Sequence, residues 1–407
     1  MVSVTDHDVR PLAETEYRDA HTLFMAALHR PPATEGDWPA LVARYETGRV
    51  WGDFLGDELA GTTTSLPSSL SVPGGAVLPA AAVTGVGVRA DRTRRGVLTS
   101  MMRSQLEDVR ERGEPLAMLH ASETGIYGRF GYGVASRTRT VSLDTHRAIL
   151  APTAPSGGDV RLLGVAEARK ILPEIYERIG AARPGAIART PGWWDTRLLT
   201  GAEGEQLRVA VHSDADGIDD GFALWNTRIN DHRFDNGVCT LQVSDLRGGD
   251  AAAAVGLWRF LLNLDLANVI LAADRPLDEP LEWWLADSRQ CRVRGVHDDL
   301  WLRLVDVPTA LAARAYGAAE PVVVEVRDAF LPSNSGCYRL APEGARRCED
   351  RPQLTVDADM LGALYLGDVS VATLAAANRV TVHDDAAVET ADRLLATSGV
   401  PWCGTGF

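Results

Sequence analysis

Apolar residues recur at helical spacing over residues 15–30, where Tyr17, Ala20, Leu23, Phe24, Ala27 and Leu28 fall on one face and predict an amphipathic helix. Beyond it the period shortens. Residues 50–55 and 59–65 read as strands joined at Gly56-Asp57, a dipeptide suited to a tight hairpin turn, and Pro73-Gly74-Gly75 turns the chain into a strand at 80–88. Helical spacing returns at 97–112 through Val97, Leu98, Met101, Met102, Leu106 and Val109, and a strand at 116–121 follows. The order of helix, hairpins, strand, helix and strand predicts an α+β layer with its functional turn between one strand and one helix.

The same rhythm appears again downstream. A helix near 167–181, strands near 207–212, 221–228 and 240–246, an apolar helix at 251–265 and a strand at 268–273 predict a second copy of the first plan. The Pro-, Gly- and Ser-rich stretch 151–159, APTAPSGGD, marks the expected boundary between the copies. A third segment alternates at 300–307 and continues through strands at 322–326 and 353–356 to helices around 360–364 and 371–377. A chain of 407 residues exceeds what one hydrophobic core serves, so the expected domains are 1–150, 151–294 and 295–407.

Composition narrows the function mainly by exclusion. Lysine and arginine total 41 against 55 acidic residues, a net charge of −14. That balance argues against a nucleic-acid or anionic-membrane partner and favours a cationic substrate, unless the charge merely keeps the surface soluble. The five cysteines, Cys239, Cys291, Cys337, Cys348 and Cys403, are odd in number and form no CxxC pair, which speaks against a disulfide framework. No HExxH and no clustered Cys/His spacing occurs, so no metal is expected. The opening MVSVTDHDVRPL lacks a basic region followed by an apolar core, and no stretch reaches the length of a membrane span. A cytoplasmic, reducing compartment without membrane insertion is the expectation.

Candidate chemistry concentrates in GVGVRADRTRRGVLTSMM, residues 85–102, where a strand ends, a basic turn follows and a helix begins. The first N–H groups of a helix lack internal partners and carry partial positive charge, so such a turn suits a pyrophosphate. Arg94 and Arg95 add full charge, and Gly96 lets anionic oxygens approach the backbone. Val86 and Val88 lie just upstream, where strand-edge groups would pair with an amide-bearing cofactor arm. The plainer reading is a capped, solvated helix start.

This stretch resembles the acyl-CoA pyrophosphate loop of the GNAT acetyltransferases, Arg/Gln-x-x-Gly-x-Gly/Ala. Thr93 stands where Arg or Gln is usual and Leu98 replaces the final small residue, departures tolerable in a loop that acts through main-chain N–H groups. HASETGIYGRFGYG at 120–133, YLG at 365–367, TLAAANR at 373–379 and the aromatic terminal residue Phe407 together resemble the Eis (enhanced intracellular survival) family of tandem-GNAT acetyltransferases over the whole chain. The resemblance implies two GNAT-like α/β domains in tandem, the second degenerate, followed by a sterol-carrier-protein-like α+β domain, assembled as a homohexamer. It implies Tyr127 as general acid and the carboxylate of Phe407 as general base. It places acetyl-CoA against Val86, Gly87 and Val88, against Arg94, Arg95, Gly96, Val97, Leu98 and Thr99, and against Ser122 and Glu123.

The residues agree with that chemistry. Amine attack on a thioester needs a proton donor for the departing thiolate and an acceptor for the ammonium proton. A tyrosine near pKa ~10 and a thiol near ~8.5 are matched once the tyrosine is slightly depressed. The alternative for Tyr127 is a buried tyrosine ending a strand. A terminal carboxylate near pKa ~3.5 is a weak base and acts partly through its charge or through water. In the second copy DLRGGD, 245–250, an acid at the helix start would repel a phosphate, so this copy is expected to have lost CoA binding. Glu35, Asp37 and Asp53 are acids that could hold a polyamine substrate, but they read as surface charges. The expected function is acetyl transfer to amines of cationic small molecules such as aminoglycosides, or to protein lysines; a lipid- or sterol-binding protein and an acyl-CoA sensor are the rivals.

Overall fold

The structure, a computed structural model, describes residues 7–180, 183–199, 207–230 and 238–407. The last residue of the helix expected at 167–181 lies outside them. The chain forms two compact units, one of Met1–Ala135, Leu300–Ser398 and Gly406–Phe407, the other of Ser136–Asp299 and Gly399–Thr405.

The first unit opens with β1 (His7–Pro11), α1 (Tyr17–Ala27), α2 (Trp38–Val42), β2 (Val50–Leu55), β3 (Glu58–Ser71) and β4 (Val77–Val88). Strands β1 to β4 form an antiparallel meander, and Gly56 makes the β2–β3 turn in the left-handed region expected of that dipeptide. After α3 (Val97–Glu111), β5 (Leu116–Leu119) joins β4 in parallel; α4 (Thr124–Tyr127) and β6 (Gly133–Val134) follow. A parallel neighbour requires a crossover, and α3 supplies it. Its Met102, Leu106 and Val109 are buried in one cluster with Ala81 and Val83 of β4 and Ala117 and Leu119 of β5. Each large side chain contributes about 1.5–3 kcal/mol by leaving water.

The second unit carries β7 (Arg137–Asp144), β8 (Asp159–Leu163), α5 (Val165–Gly180), α6 (Pro191–Leu199), β9 (Arg208–Ser213), β10 (Asp219–Asn230) and β11 (Val238–Gly248), then α7 (Ala251–Leu262), β12 (Val269–Pro276), α8 (Leu281–Trp284) and β13 (Cys291–Asp298). Its sheet runs β13-β7-β12-β11-β10-β9-β8. The β10–β11 hairpin, the α7 crossover and the parallel strand β12 repeat the plan of β3, β4, α3 and β5. Strand β7 pairs with both β12 and β13, so the change of unit falls after Ala135, and 151–159 is a loop within the second unit.

The chain then returns to the first unit. Strand β14 (Trp301–Leu304) inserts between β5 and β6, giving the order β1-β2-β3-β4-β5-β14-β6. There follow α9 (Val307–Ala313), β15 (Val322–Arg327), β16 (Gly336–Ala341), β17 (Gly344–Cys348), β18 (Leu354–Asp357), α10 (Ala358–Tyr365), α11 (Val371–Ala376), β19 (Val380–Val382) and α12 (Ala386–Leu395). Their sheet is ordered β17-β16-β15-β18-β19. Leu311, Val324, Leu354, Leu361, Leu364 and Tyr365 are among the residues around an apolar cavity of about 20 Å³, room for about one water.

Arg303 on β14 is fully buried and pairs with Asp328 at 2.6 Å. The same carboxylate accepts from Asn334 Nδ2 at 3.0 Å and from the N–H groups of Phe330 and Leu331 at 3.2 and 2.8 Å. Asp328→Ala would strand a guanidinium in the interior, and we expect a loss of about 3–5 kcal/mol in urea denaturation. A loss under about 1 kcal/mol would show that the pair is not structural.

Candidate active site

One extra residue in β4 shapes the site. Thr62 faces Gly87 and Thr64 faces Thr84, so β4 carries one residue more than β3 over this span, a bulge. Gly85 takes the kink at φ +62°, where a Cβ would lie 2.9 Å from Thr64 Oγ1. The β4–β5 pairing runs only from Ala80↔Leu116 to Ala82↔Met118. From Val83 to Val88 the side of β4 turned away from β3 is not paired to a strand among the described residues, and the two parallel strands part.

The chain end lies in that gap. Thr84 Oγ1 donates to the Phe407 carboxyl oxygen at 3.4 Å, and the Phe407 ring packs on His120 with centroids 4.8 Å apart. Thr84 and His120 each lie two positions beyond the last β4–β5 pair, Ala82↔Met118. Tyr127, at the end of α4, is 6% exposed and packs in one cluster with Val83 and Leu119, the residues next to Thr84 and His120. Tyr127 and Phe407 are thus set against neighbouring positions of the same two strands. Thr84 and His120 went unselected in the sequence; His120 opens the HASETG stretch, but only strand separation gives it a role.

Burial, reinforced by the Glu123 carboxylate, pushes the Tyr127 hydroxyl up to about 12. The slight depression expected from the thiol match is therefore corrected. The residue stays protonated at any physiological pH, so its hydroxyl keeps the proton that a hydrogen-bond donor needs. Tyr132, its edge-on neighbour at 6.1 Å, is fully buried.

The basic turn follows β4 as expected. Gly96 caps α3 at φ +93°, and Arg94 shares the left-handed region at φ +61°. Arg94, Arg95, Gly96 and Thr99 are exposed, Leu98 is half-buried, and Val97 turns into the core at 2% exposure, so its part in any anion site is limited to its N–H. The nearby Arg89 and Arg92 are engaged with Asp91 and Glu58. Val86 and Val88 are half-buried, Gly87 is buried, and Ser122 and Glu123 are exposed at the start of α4. Asp53, read as a surface charge, is fully buried: it binds His7 Nδ1 at 2.8 Å and accepts from Ser100 Oγ, while His7 Nε2 meets the Arg95 carbonyl at 3.1 Å. It holds the turn in place. Glu35 is exposed and pairs with Arg18 at 2.7 Å.

A cleft of about 850 Å³ runs along Leu23, Ala26 and Ala27 of α1, Val88 of β4 and Thr93 of the turn, with Asp19, Glu58 and Asp91 on its walls.

Family models agree with this layout: an acetyltransferase (GNAT) domain matches residues 8–135, another acetyltransferase (GNAT) domain matches 185–304, and a sterol carrier protein domain matches 307–404. Fold and site thus define an acetyltransferase. An uncharacterized N-acetyltransferase of Streptomyces coelicolor is 41% identical over 88% of this chain and 88% of its own. N-acetyltransferase Eis of Mycobacterium tuberculosis is 35% identical over 90% of this chain and 96% of its own. The crystal structure of Eis1 from Mycobacterium abscessus superposes with a TM-score of 0.89 at 38% identity, covering 98% of this chain and all of that one. The chain belongs to the Eis family of N-acetyltransferases. GNAT acetyltransferases use acetyl-CoA as co-substrate. No helix of the described residues is long and apolar enough to cross a membrane.

Reversing both exposed charges, Arg94→Glu with Arg95→Glu, is expected to weaken acetyl-CoA binding at least about tenfold by calorimetry; unchanged affinity in a folded protein would remove the turn from the cofactor site. Tyr127→Phe is expected to keep that affinity and lower turnover by roughly two orders of magnitude. Because the raised pKa keeps Tyr127 neutral, kcat between pH 7 and 10 has no descending limb from this residue. A limb near pH 9 that disappears in Tyr127→Phe would contradict the assignment.

Proposed function

We propose that this protein transfers acetyl directly from acetyl-CoA to an amine of a cationic small molecule of the aminoglycoside type, or to a protein lysine. Tyr127 is the donor to the leaving thiolate and the Phe407 carboxylate the acceptor for the ammonium proton. The observation that carries this reading is Phe407 in the gap where β4 and β5 part, its carboxyl oxygen on Thr84 and its ring on His120.

Main-chain groups of Val86, Gly87 and Val88, the turn Arg94–Arg95–Gly96–Val97–Leu98–Thr99, and Ser122 with Glu123 are assigned to acetyl-CoA. The thioester supplies the acyl group and a thiolate leaving group. Everything else comes from the chain: unpaired N–H groups of β4 orient the acyl carbonyl, Tyr127 stabilises the departing sulfur, and the terminal carboxylate attracts the ammonium and takes its proton directly or through water. No metal enters this scheme. The net charge of −14 favours a cationic acceptor. All five cysteines are free, as suits a reducing cytoplasm, and a homohexamer is the assembly we assign. The 20 Å³ cavity of the third domain is far smaller than a sterol and does not support the lipid-binding alternative.

Two measurements test the reading. Thiol release from acetyl-CoA across a panel of amines should be high for polycationic acceptors and low for neutral ones; binding without thiol release would favour an acyl-CoA sensor. Appending a few residues after Phe407 replaces the carboxylate by a neutral amide, and should lower amine acetylation roughly a hundredfold with acetyl-CoA affinity and melting temperature unchanged. An extended protein that works at the native rate would end the chain-end proposal, whereas a tag before Met1 is expected to be harmless.

A further inference from the structure

The second unit has a gap of its own, built like the first. Strands β11 and β12 pair in parallel from Thr240↔Val269 to Val243↔Ala272 and then part. Here too the earlier strand carries an extra residue: Leu224 faces Asp245 and Trp225 faces Val243, leaving Ser244 as the bulge. The positions two beyond the last pair are Asp245 and Asp274. Trp402 of the C-terminal tail lies there, its indole Nε1 donating to the Asp274 carbonyl at 2.8 Å and its ring under the Arg247 guanidinium at 3.7 Å. In the first unit this kind of gap admits Phe407 and is assigned to a cofactor arm; in the second, Trp402 of the same tail occupies it.

The tail is held along its length. Arg247 donates to the carbonyls of Cys403 and Gly404 at 2.7 and 3.0 Å and to Thr405 Oγ1 at 3.1 Å, and Arg189 donates to the same hydroxyl at 2.8 Å. Both guanidiniums are buried with a single carboxylate, Asp245, paired at 2.6 and 3.1 Å. Two cations against one anion leave positive charge in a dry interior, and the tail's carbonyl and hydroxyl dipoles offset it. Asp299 accepts the N–H groups of Cys403 and Gly404 at 3.0 and 3.1 Å. Gly185, at φ +91°, lets the tail pass, since a Cβ there would stand 2.9 Å from the Trp402 nitrogen. The helix start beside this gap is capped by the Asp250 carboxylate, which accepts from the Ala253 N–H where a phosphate would otherwise bind.

We infer that the second GNAT-like domain uses its cofactor gap as a clamp for residues 402–405, and that Arg247 is a positioning residue for the Phe407 carboxylate. The second part rests on the proposed role of Phe407. Past Thr405 only Gly406 separates the clamped tail from Phe407, so clamping 402–405 restricts where the carboxylate can go.

Release of Phe407 by carboxypeptidase A reads the clamp without any acetyl transfer. Arg247→Met, and Thr405→Val as the milder variant that removes only the shared hydroxyl, should each speed that release at least about tenfold. In the same variants kcat for amine acetylation should fall at least about tenfold while KM for acetyl-CoA stays within about twofold, a split that general unfolding does not produce. Native-rate release in both folded variants overturns the clamp. Faster release with unchanged kcat upholds the clamp and overturns the positioning role, while the C-terminal extension tests the chain-end base separately. If Arg247→Met fails to fold, Thr405→Val decides the outcome alone.

Discussion

The rest of the site depends on a single additional residue in a strand. A parallel pair hydrogen-bonded along its full length has no room for a ligand between its strands. The bulge at Thr84–Gly87 bends β4 away from β5 after Ala82, and everything assigned to catalysis follows from that bend. It turns backbone groups of Val83–Val88 toward the gap, admits Phe407 beside Thr84 and His120, and leads β4 into the basic turn before α3. Asp53, His7 and Ser100 then fix the turn from behind, so exposed Arg94 and Arg95 sit on a backbone that is itself anchored.

The same device appears twice, and the difference between its two settings is electrostatic. In the first unit the helix start beyond the gap is left to Gly96, which makes no side-chain cap, and two exposed arginines stand next to it. In the second the corresponding helix start carries Asp250, whose carboxylate satisfies the Ala253 N–H. One arrangement welcomes an anion; the other is already neutralised from within the chain. Duplication of a fold need not duplicate its chemistry, because an anion site depends on side-chain charge added to a shared backbone geometry.

Burial sets the character of Tyr127. A tyrosine in water titrates near ~10, and placement in an apolar cluster beside Glu123 makes its anion costlier still. A group of this kind stabilises developing charge by hydrogen bonding and does not itself ionise.

How much of this was legible before any coordinates is clearest at individual elements. Helix α3, the β2–β3 hairpin, the β4–turn–α3 motif and the repeated plan follow from periodicity and turn residues, which are local. Tyr127 and Phe407 came from family resemblance, since no local pattern sets a terminal residue apart from a frayed end. Strand β7 escaped, and with it the point where one unit gives way to the next, because its alternation in RTRTVSLD does not say which sheet will take it. Asp53 was misread for the same reason: an acid flanked by Gly52 and Phe54 looks exposed until His7 and Ser100 converge on it. The sequence by itself determined α1, α3, α7, the β2–β3 hairpin and the charges at the starts of α3 and α7, all of which act over a few residues. Only the tertiary structure decided which strands part, which acids are buried and where the tail lies, because those depend on hydrogen bonds and packing between residues far apart in the chain.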